Sequence, residues 1–175
     1  IEDTEALDHI LNQPEKLDRA TRGRMNHHFN AWMLSQFMHG EQGALLATAQ
    51  IVDATPLIES KFYAASQVMD EARHVEVYSR YLREKMVGSY PVNRHLKALL
   101  DQILTDSRWD MKYLGMQILV EGLAMAAFGL MEKFSNEPLL KQLTQYIMRD
   151  EARHVAFGVL SLEGYYRDLN EREIR

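Results

Sequence analysis

The hexapeptide Asp70-Glu71-Ala72-Arg73-His74-Val75 recurs unchanged as Asp150-Glu151-Ala152-Arg153-His154-Val155, 80 positions further on. The same offset carries Glu41 onto Glu121, so each single glutamate stands 30 residues before its Glu-x-x-His partner. On a helix, residues three apart share a face, and each motif therefore offers a carboxylate and an imidazole together. An isolated Glu-x-x-His is most often a solvated face, and Asp70 with Arg73, or Asp150 with Arg153, reads equally well as a surface ion pair. Phase argues against that reading here. Glu41 falls between Met38 and Leu45 on an apolar stripe, Glu121 between Ile118 and Met125, and Glu151 with His154 between Ile147 and Gly158. Four buried carboxylates would each carry a desolvation cost of several kcal/mol and would repel one another. They need positive charge between them.

Two divalent cations balance Glu41, Glu71, Glu121 and Glu151, and His74 and His154 add one neutral nitrogen each. Hard oxygen ligands with one imidazole per ion suit iron or manganese. Calcium takes oxygen alone, and structural zinc prefers thiolate and imidazole. The chain has no cysteine, which excludes disulfides, thiol catalysis and thiolate-held clusters.

The elements that must position these groups read as helices. An apolar face runs from about Gly23 to Asp53 through Leu34, Met38, Leu45 and Val52. Thr55-Pro56 gives a cap and a first-turn proline for a second helix to about Met86, along Ala64, Val68, Val75, Tyr78 and Leu82. A shorter piece, His95 to Leu104, follows. Ser107-x-x-Asp110 reads as a capping box for a third long helix, Trp109 to Phe134, with Leu114, Ile118, Met125 and Phe128 on one face. A fourth runs from the Ser135–Pro138 turn to about Leu169, and the stretch before Pro14 reads as a short extra helix. No segment alternates like a strand, so the fold class is all-α. Short turns make each neighbouring pair antiparallel, and Val87–Arg108 is long enough to cross the end of a bundle. The midpoint of Glu41 and Glu71 is Pro56 and that of Glu121 and Glu151 is Asn136, which sets each pair of glutamates at one height on its hairpin.

With these residues in place, the sequence resembles the ferritin-like diiron-carboxylate proteins. Asp-Glu-x-Arg-His is most similar to their oxygen-activating branch, the ribonucleotide reductase small subunits, diiron monooxygenases and N-oxygenases. The resemblance spans about Gly23 to Leu169. It implies a ferritin-like four-helix bundle, two antiparallel hairpins joined by one long crossover, as a single domain over 1–175. It implies Glu41 and Glu121 as single metal ligands and Glu71, His74, Glu151 and His154 as paired ones. Asp70 and Asp150 would each hydrogen-bond the histidine of the opposite motif, with surface pairing to Arg73 and Arg153 as the alternative. The branches carry further residues that differ here: Ile147 stands where N-oxygenases have a third histidine, Met125 where multicomponent hydroxylases have threonine, and Ala44 and Met116 where related oxidases form a Val–Tyr crosslink. Tyr78 matches the radical tyrosine of reductase subunits, although a tyrosine on a core stripe is more often packing.

The activity this implies is that of an oxidase or oxygenase with two iron ions (or manganese and iron) and O₂ as co-substrate. It would act on a small organic substrate, draw on a separate electron donor protein, and form a homodimer. Ala44, Leu45, Ala64, Gln67, Gln117, Ala124, Phe128, Ile147 and Gly158 are phased to line its space. The alternative is a ferroxidase or iron-storage protein of the bacterioferritin type. A net charge of −5 argues against a nucleic-acid partner. No apolar run is expected to approach the ~18 residues of a membrane span, and the expected setting is the cytoplasm. The opening at Ile1 and the charged close at Asn170–Arg175 suggest a fragment trimmed from a longer chain.

Overall fold

The computed structural model describes residues 17–167 and 169–170, and the short helix expected before Pro14 lies outside them. Every element among the described residues is helical: α1 (Arg19–Ala54), α2 (Ile58–Lys85), α3 (Arg94–Thr105), α4 (Trp109–Phe134) and α5 (Pro138–Arg167). Asp18 opens α1 by accepting a hydrogen bond from the Thr21 backbone N–H. At its far end Lys61 reaches back from the first turn of α2, and its ammonium donates to the Val52 and Asp53 carbonyls at 2.8 and 2.7 Å. A cation on the last carbonyls of a helix satisfies acceptors that have no partner within it.

Two caps differ from expectation. Thr55 and Pro56 lie in the turn, where the Thr55 N–H closes α1 on the Ile51 carbonyl, and α2 starts two residues later, at Ile58, with Leu57 as its uncapped boundary. No capping box forms at Ser107. Asp106 takes that role locally, its carboxylate accepting from the Arg108 backbone N–H at 2.9 Å, and Arg108 borders the helix. The start of α5 is held by Glu137, whose carboxylate accepts from the Leu139 and Leu140 N–H groups.

Core clusters join residues equidistant from each turn. Ile51 packs in one cluster with Ala64, and Leu34 in another with Tyr78; Phe128 clusters with Ile147 and Tyr113 with Leu162. Within each pair the helices are therefore antiparallel. Contacts between the pairs run from α2 to α5 and from α1 to α4. The connection after α2 is stitched to α1: the Tyr90 N–H donates to Ser35 Oγ and the Asn93 N–H to Gln36 Oε1. α3 then lies on α1 and the first half of α4, with Leu100 and Ile103 packed among Ala44, Ala47, Met116 and Val120. Gly43 and Gly115 permit this approach, since a Cβ there would stand 2.5 and 2.7 Å from Leu100 and Ile103 side-chain atoms.

α4 departs from regular α geometry. Leu114–Val120 is π-helical and leads directly into Glu121. A π turn bonds i to i+5, so it rotates the residues before it relative to those after. The buried positions consequently become Tyr113, Met116, Gln117, Val120 and Glu121, while the expected Leu114, Ile118 and Met125 are half-buried. Leu45, Val52, Val68 and Val75 are likewise half-buried, because the innermost stripes of α1 and α2 belong to Glu41, Ala44 and Thr48 and to Gln67, Glu71 and His74. α4 is also long and apolar enough, by length and composition, to cross a membrane, with a mean hydropathy of 1.6 over its best window. That corrects the expectation that no run approaches a span: between Lys112 and Glu132 the one charged residue is Glu121.

Candidate metal centre

The four stripes meet at the charged residues. Glu41, Glu71, Glu121 and Glu151 arrive from α1, α2, α4 and α5, one per helix, and with His74 and His154 all six are at most 5% exposed. Their ligand atoms form two groups, Glu41–Glu71–His74–Glu151 and Glu71–Glu121–Glu151–His154, each within 4.8 Å. Glu71 and Glu151 belong to both. The geometry thus separates two carboxylates able to bridge a pair of ions from two, Glu41 and Glu121, that face one position each.

Both imidazoles point the same way. His74 Nδ1 faces Glu151 Oε1 at 3.1 Å and Glu41 Oε2 at 3.2 Å, and His154 Nδ1 faces Glu151 Oε2 at 3.2 Å and Glu71 Oε1 at 3.3 Å. The outer nitrogens cross over. His74 Nε2 donates to Asp150 Oδ2 at 3.2 Å and His154 Nε2 to Asp70 Oδ2 at 3.4 Å, each aspartate coming from the other motif. A proton held on Nε2 leaves the Nδ1 lone pair for a metal, which is the usual purpose of an outer carboxylate on a ligating histidine. The two expectations for the aspartates are met together, because Asp70 also pairs with Arg73 and Asp150 with Arg153.

Electrostatics of the protein groups alone show a site short of cations. Burial pushes the Glu71 carboxyl well above the ordinary carboxylate range, and the charges of Glu41 and Glu151 push it further. Glu41 is raised too, chiefly by burial. Burial of His74 acts to lower its pKa, but hydrogen bonds to Glu151 and Glu41 outweigh it and push the imidazole up to about 10. For Glu151 burial is outweighed by hydrogen bonds from His154 and His74, which hold the carboxyl low. Glu71 Oε2 is buried without a hydrogen bond, and Glu151 Oε1 is buried with His74 Nδ1 facing it at 3.1 Å. An orphaned oxygen on one shared carboxylate, beside a second shared carboxylate and two inward imidazole nitrogens, fits a pair of bound cations.

Beside the ligands stand two residues whose role the spacing did not reveal. The Gln67 side-chain amide donates to Glu71 Oε1 at 2.9 Å and Glu121 Oε1 at 3.2 Å, and the Gln117 amide donates to Gln67 Oε1 at 2.5 Å. Each glutamine lies one turn before a glutamate on its own helix, a spacing visible in the sequence, but their meeting across helices is not. Gly158 makes room for this pair, since a Cβ there would lie 2.4 Å from Gln117 Cβ. Tyr78 is fully buried against Phe37 and Phe128, with ring centroids 6.0 and 6.1 Å away, and its hydroxyl makes no hydrogen bond. Burial and the charges of Glu41 and Glu151 keep that phenol neutral. Of the nine residues expected to line a substrate space, Ile147 borders a groove between α2 and α5, and the cavity of about 630 Å³ lies away from all nine at the end of the helices, between Leu34, Tyr81, Met86, Leu130, Met131 and Leu140. The reason is side-chain size: Gln67, Gln117 and Phe128 fill the volume beside the carboxylates. Comparison with protein-family models, curated proteins and solved structures gave no match, so the reading of this centre rests on its geometry.

Proposed function

We propose that the chain is a ferritin-like four-helix bundle whose centre holds two iron ions and oxidises an organic substrate with O₂. The observation that carries this reading is the division of ligands into two four-residue groups sharing Glu71 and Glu151. Bound there, a reduced iron pair would supply the electrons that O₂ activation needs. The residues of the chain do the rest. Glu71 and Glu151 would contribute to holding both ions, Glu41 and Glu121 would each hold one, and Asp150 and Asp70 keep the imidazoles turned inward. Phe37, Tyr78, Phe128 and Ile147 make one wall apolar and exclude water. An organic substrate would enter from the apolar end cavity, whose lining residues Leu34, Tyr81, Met131 and Leu140 belong to the same core cluster as Tyr78 and Phe128.

Anaerobic loading with ferrous iron tests the reading, with two ions per chain expected by elemental analysis. Oxygen consumption by the loaded protein should rise with a substrate and an electron donor. Zinc alone, or no ion after loading, sinks the assignment; turnover of excess ferrous ion into a mineral would assign the chain to iron storage instead.

A further inference from the structure

The 80-residue repeat relates the two ion positions, yet the surroundings of the two are not alike. Gln67 corresponds to Ile147 and Gln117 to Phe37. The glutamine pair therefore braces Glu121, which faces one position only, together with the shared Glu71. Among the described residues no amide donates to Glu41, which faces His74 Nδ1 at 3.2 Å. A second difference lies outside the histidines. Tyr63 of α2 and Phe157 of α5, one turn beyond His154, meet with ring centroids 4.2 Å apart and their planes tilted by 34°. Their repeat mates are Leu143 and Val77, which do not fill the same space. A groove of about 360 Å³ opens there between α2 and α5, lined by Arg73, His74, Val77, Leu143, Ile147 and Asp150 among others.

We propose that the two ion positions are functionally unequal: Glu121–His154 is the tight, resident position braced by Gln67 and Gln117, and Glu41–His74 is the exchangeable one, loaded through the groove between α2 and α5. This inference rests on the dinuclear reading above. The physical case is preorganisation. A ligand carboxylate already held by a fixed amide loses less freedom when an ion arrives, and partners of this kind commonly change metal affinity by about 10–100-fold. The groove lined by His74 and Asp150 offers ions an approach to that position, whereas at the equivalent place on the His154 motif the Tyr63 and Phe157 rings meet.

Cobalt(II), which reports its coordination in the visible spectrum, is the probe. Titrated into the wild-type chain, it should bind in two steps differing about 10–100-fold in affinity. A chelator should remove the weaker ion at least tenfold faster. Glu121→Gln should remove the tight step and Glu41→Gln the weak one. Gln67→Ile, which copies Ile147, should weaken the tight step more than the weak one, because Gln67 holds Glu121 as well as the shared Glu71. Leu143→Tyr with Val77→Phe, which copies the Tyr63–Phe157 ring pair, should slow loading and release of the second ion without abolishing its binding. Two ions bound with equal affinity and equal release rates overturn the inequality and leave the dinuclear centre standing. Gln67→Ile weakening both steps alike, or the filled groove leaving both rates unchanged, also overturns it. Fewer than two cobalt ions per wild-type chain is a different result, and it overturns the dinuclear reading itself.

Discussion

Replacing Glu71 by glutamine should make the metal-free protein more stable and the metal-bound protein less so. Glu71 is fully buried, and its Oε2 has no hydrogen bond. In Glu71→Gln the side-chain oxygen can still accept from the Gln67 amide, now 2.9 Å from Glu71 Oε1. The new NH₂ group would face the carboxylates of Glu41 and Glu151, turning repulsion into hydrogen-bond donation. Relieving one unsatisfied buried charge is worth about 1–3 kcal/mol. For a domain of this size that is a rise of roughly 2–12 °C in the unfolding midpoint.

The gain should depend on pH with a definite sign. The Glu71 carboxyl is held well above its ordinary value of 4.5, so on raising the pH the unfolded chain releases this proton before the folded chain does. Metal-free stability must then fall as pH rises from 4.5 towards the folded value, and the variant lacks that decline. His74 acts in both proteins: raised from 6.5 to about 10, it contributes stability fully present below 6.5 and lost as pH rises through about 10. The advantage of the variant should accordingly widen between pH 5 and neutrality. Calorimetry with chelator present, then with two equivalents of metal, measures both halves of the prediction. Because Glu71 belongs to both ligand groups, the variant should lose most of the metal-dependent stabilisation. A variant that is less stable without metal, yet binds two ions like the parent, would show Glu71 to be a structural hydrogen-bond partner and refute the reasoning.

Other expectations follow from single contacts. Asp70→Asn and Asp150→Asn should keep the fold and weaken metal affinity by about 10–100-fold in chelator competition; unchanged affinity would leave these residues only their pairing with Arg73 and Arg153. Gly158→Ala places a Cβ 2.4 Å from Gln117 Cβ and should cost about 1–3 kcal/mol in urea unfolding, with the Gln67–Gln117 contact disturbed. Buried Lys112 donates to Gln50 Oε1 at 2.7 Å and to the Ile103 and Leu104 carbonyls at 3.0 and 3.1 Å, tying the end of α3 to α1 and α4. Lys112→Met should cost about 1.5–3 kcal/mol and increase amide exchange in α3 first.

The duplicated Glu-x-x-His, the matched single glutamates and their places on apolar stripes were legible in the sequence, because helical periodicity and turn position are local properties. They were enough to put Glu41 level with Glu71 on one hairpin and Glu121 level with Glu151 on the other, while the crossed pairing of Asp70 and Asp150 with the opposite histidines was implied by the family resemblance. Sequence alone also contained Gln67 and Gln117 at core phase, but a glutamine in that register looks the same whether it lines a space or fills one. Which glutamates are shared between the two ligand groups, which imidazole nitrogen turns inward, and that Tyr63 meets Phe157 while Leu143 leaves a groove depend on distances between helices. So does the π-helical stretch before Glu121, which shifts the buried face of α4 away from Leu114 and Ile118. Periodicity orients each helix about its own axis; how closely helices approach is set by side-chain volumes at the contacts, such as Gly158 against Gln117, and only packing in three dimensions decides those.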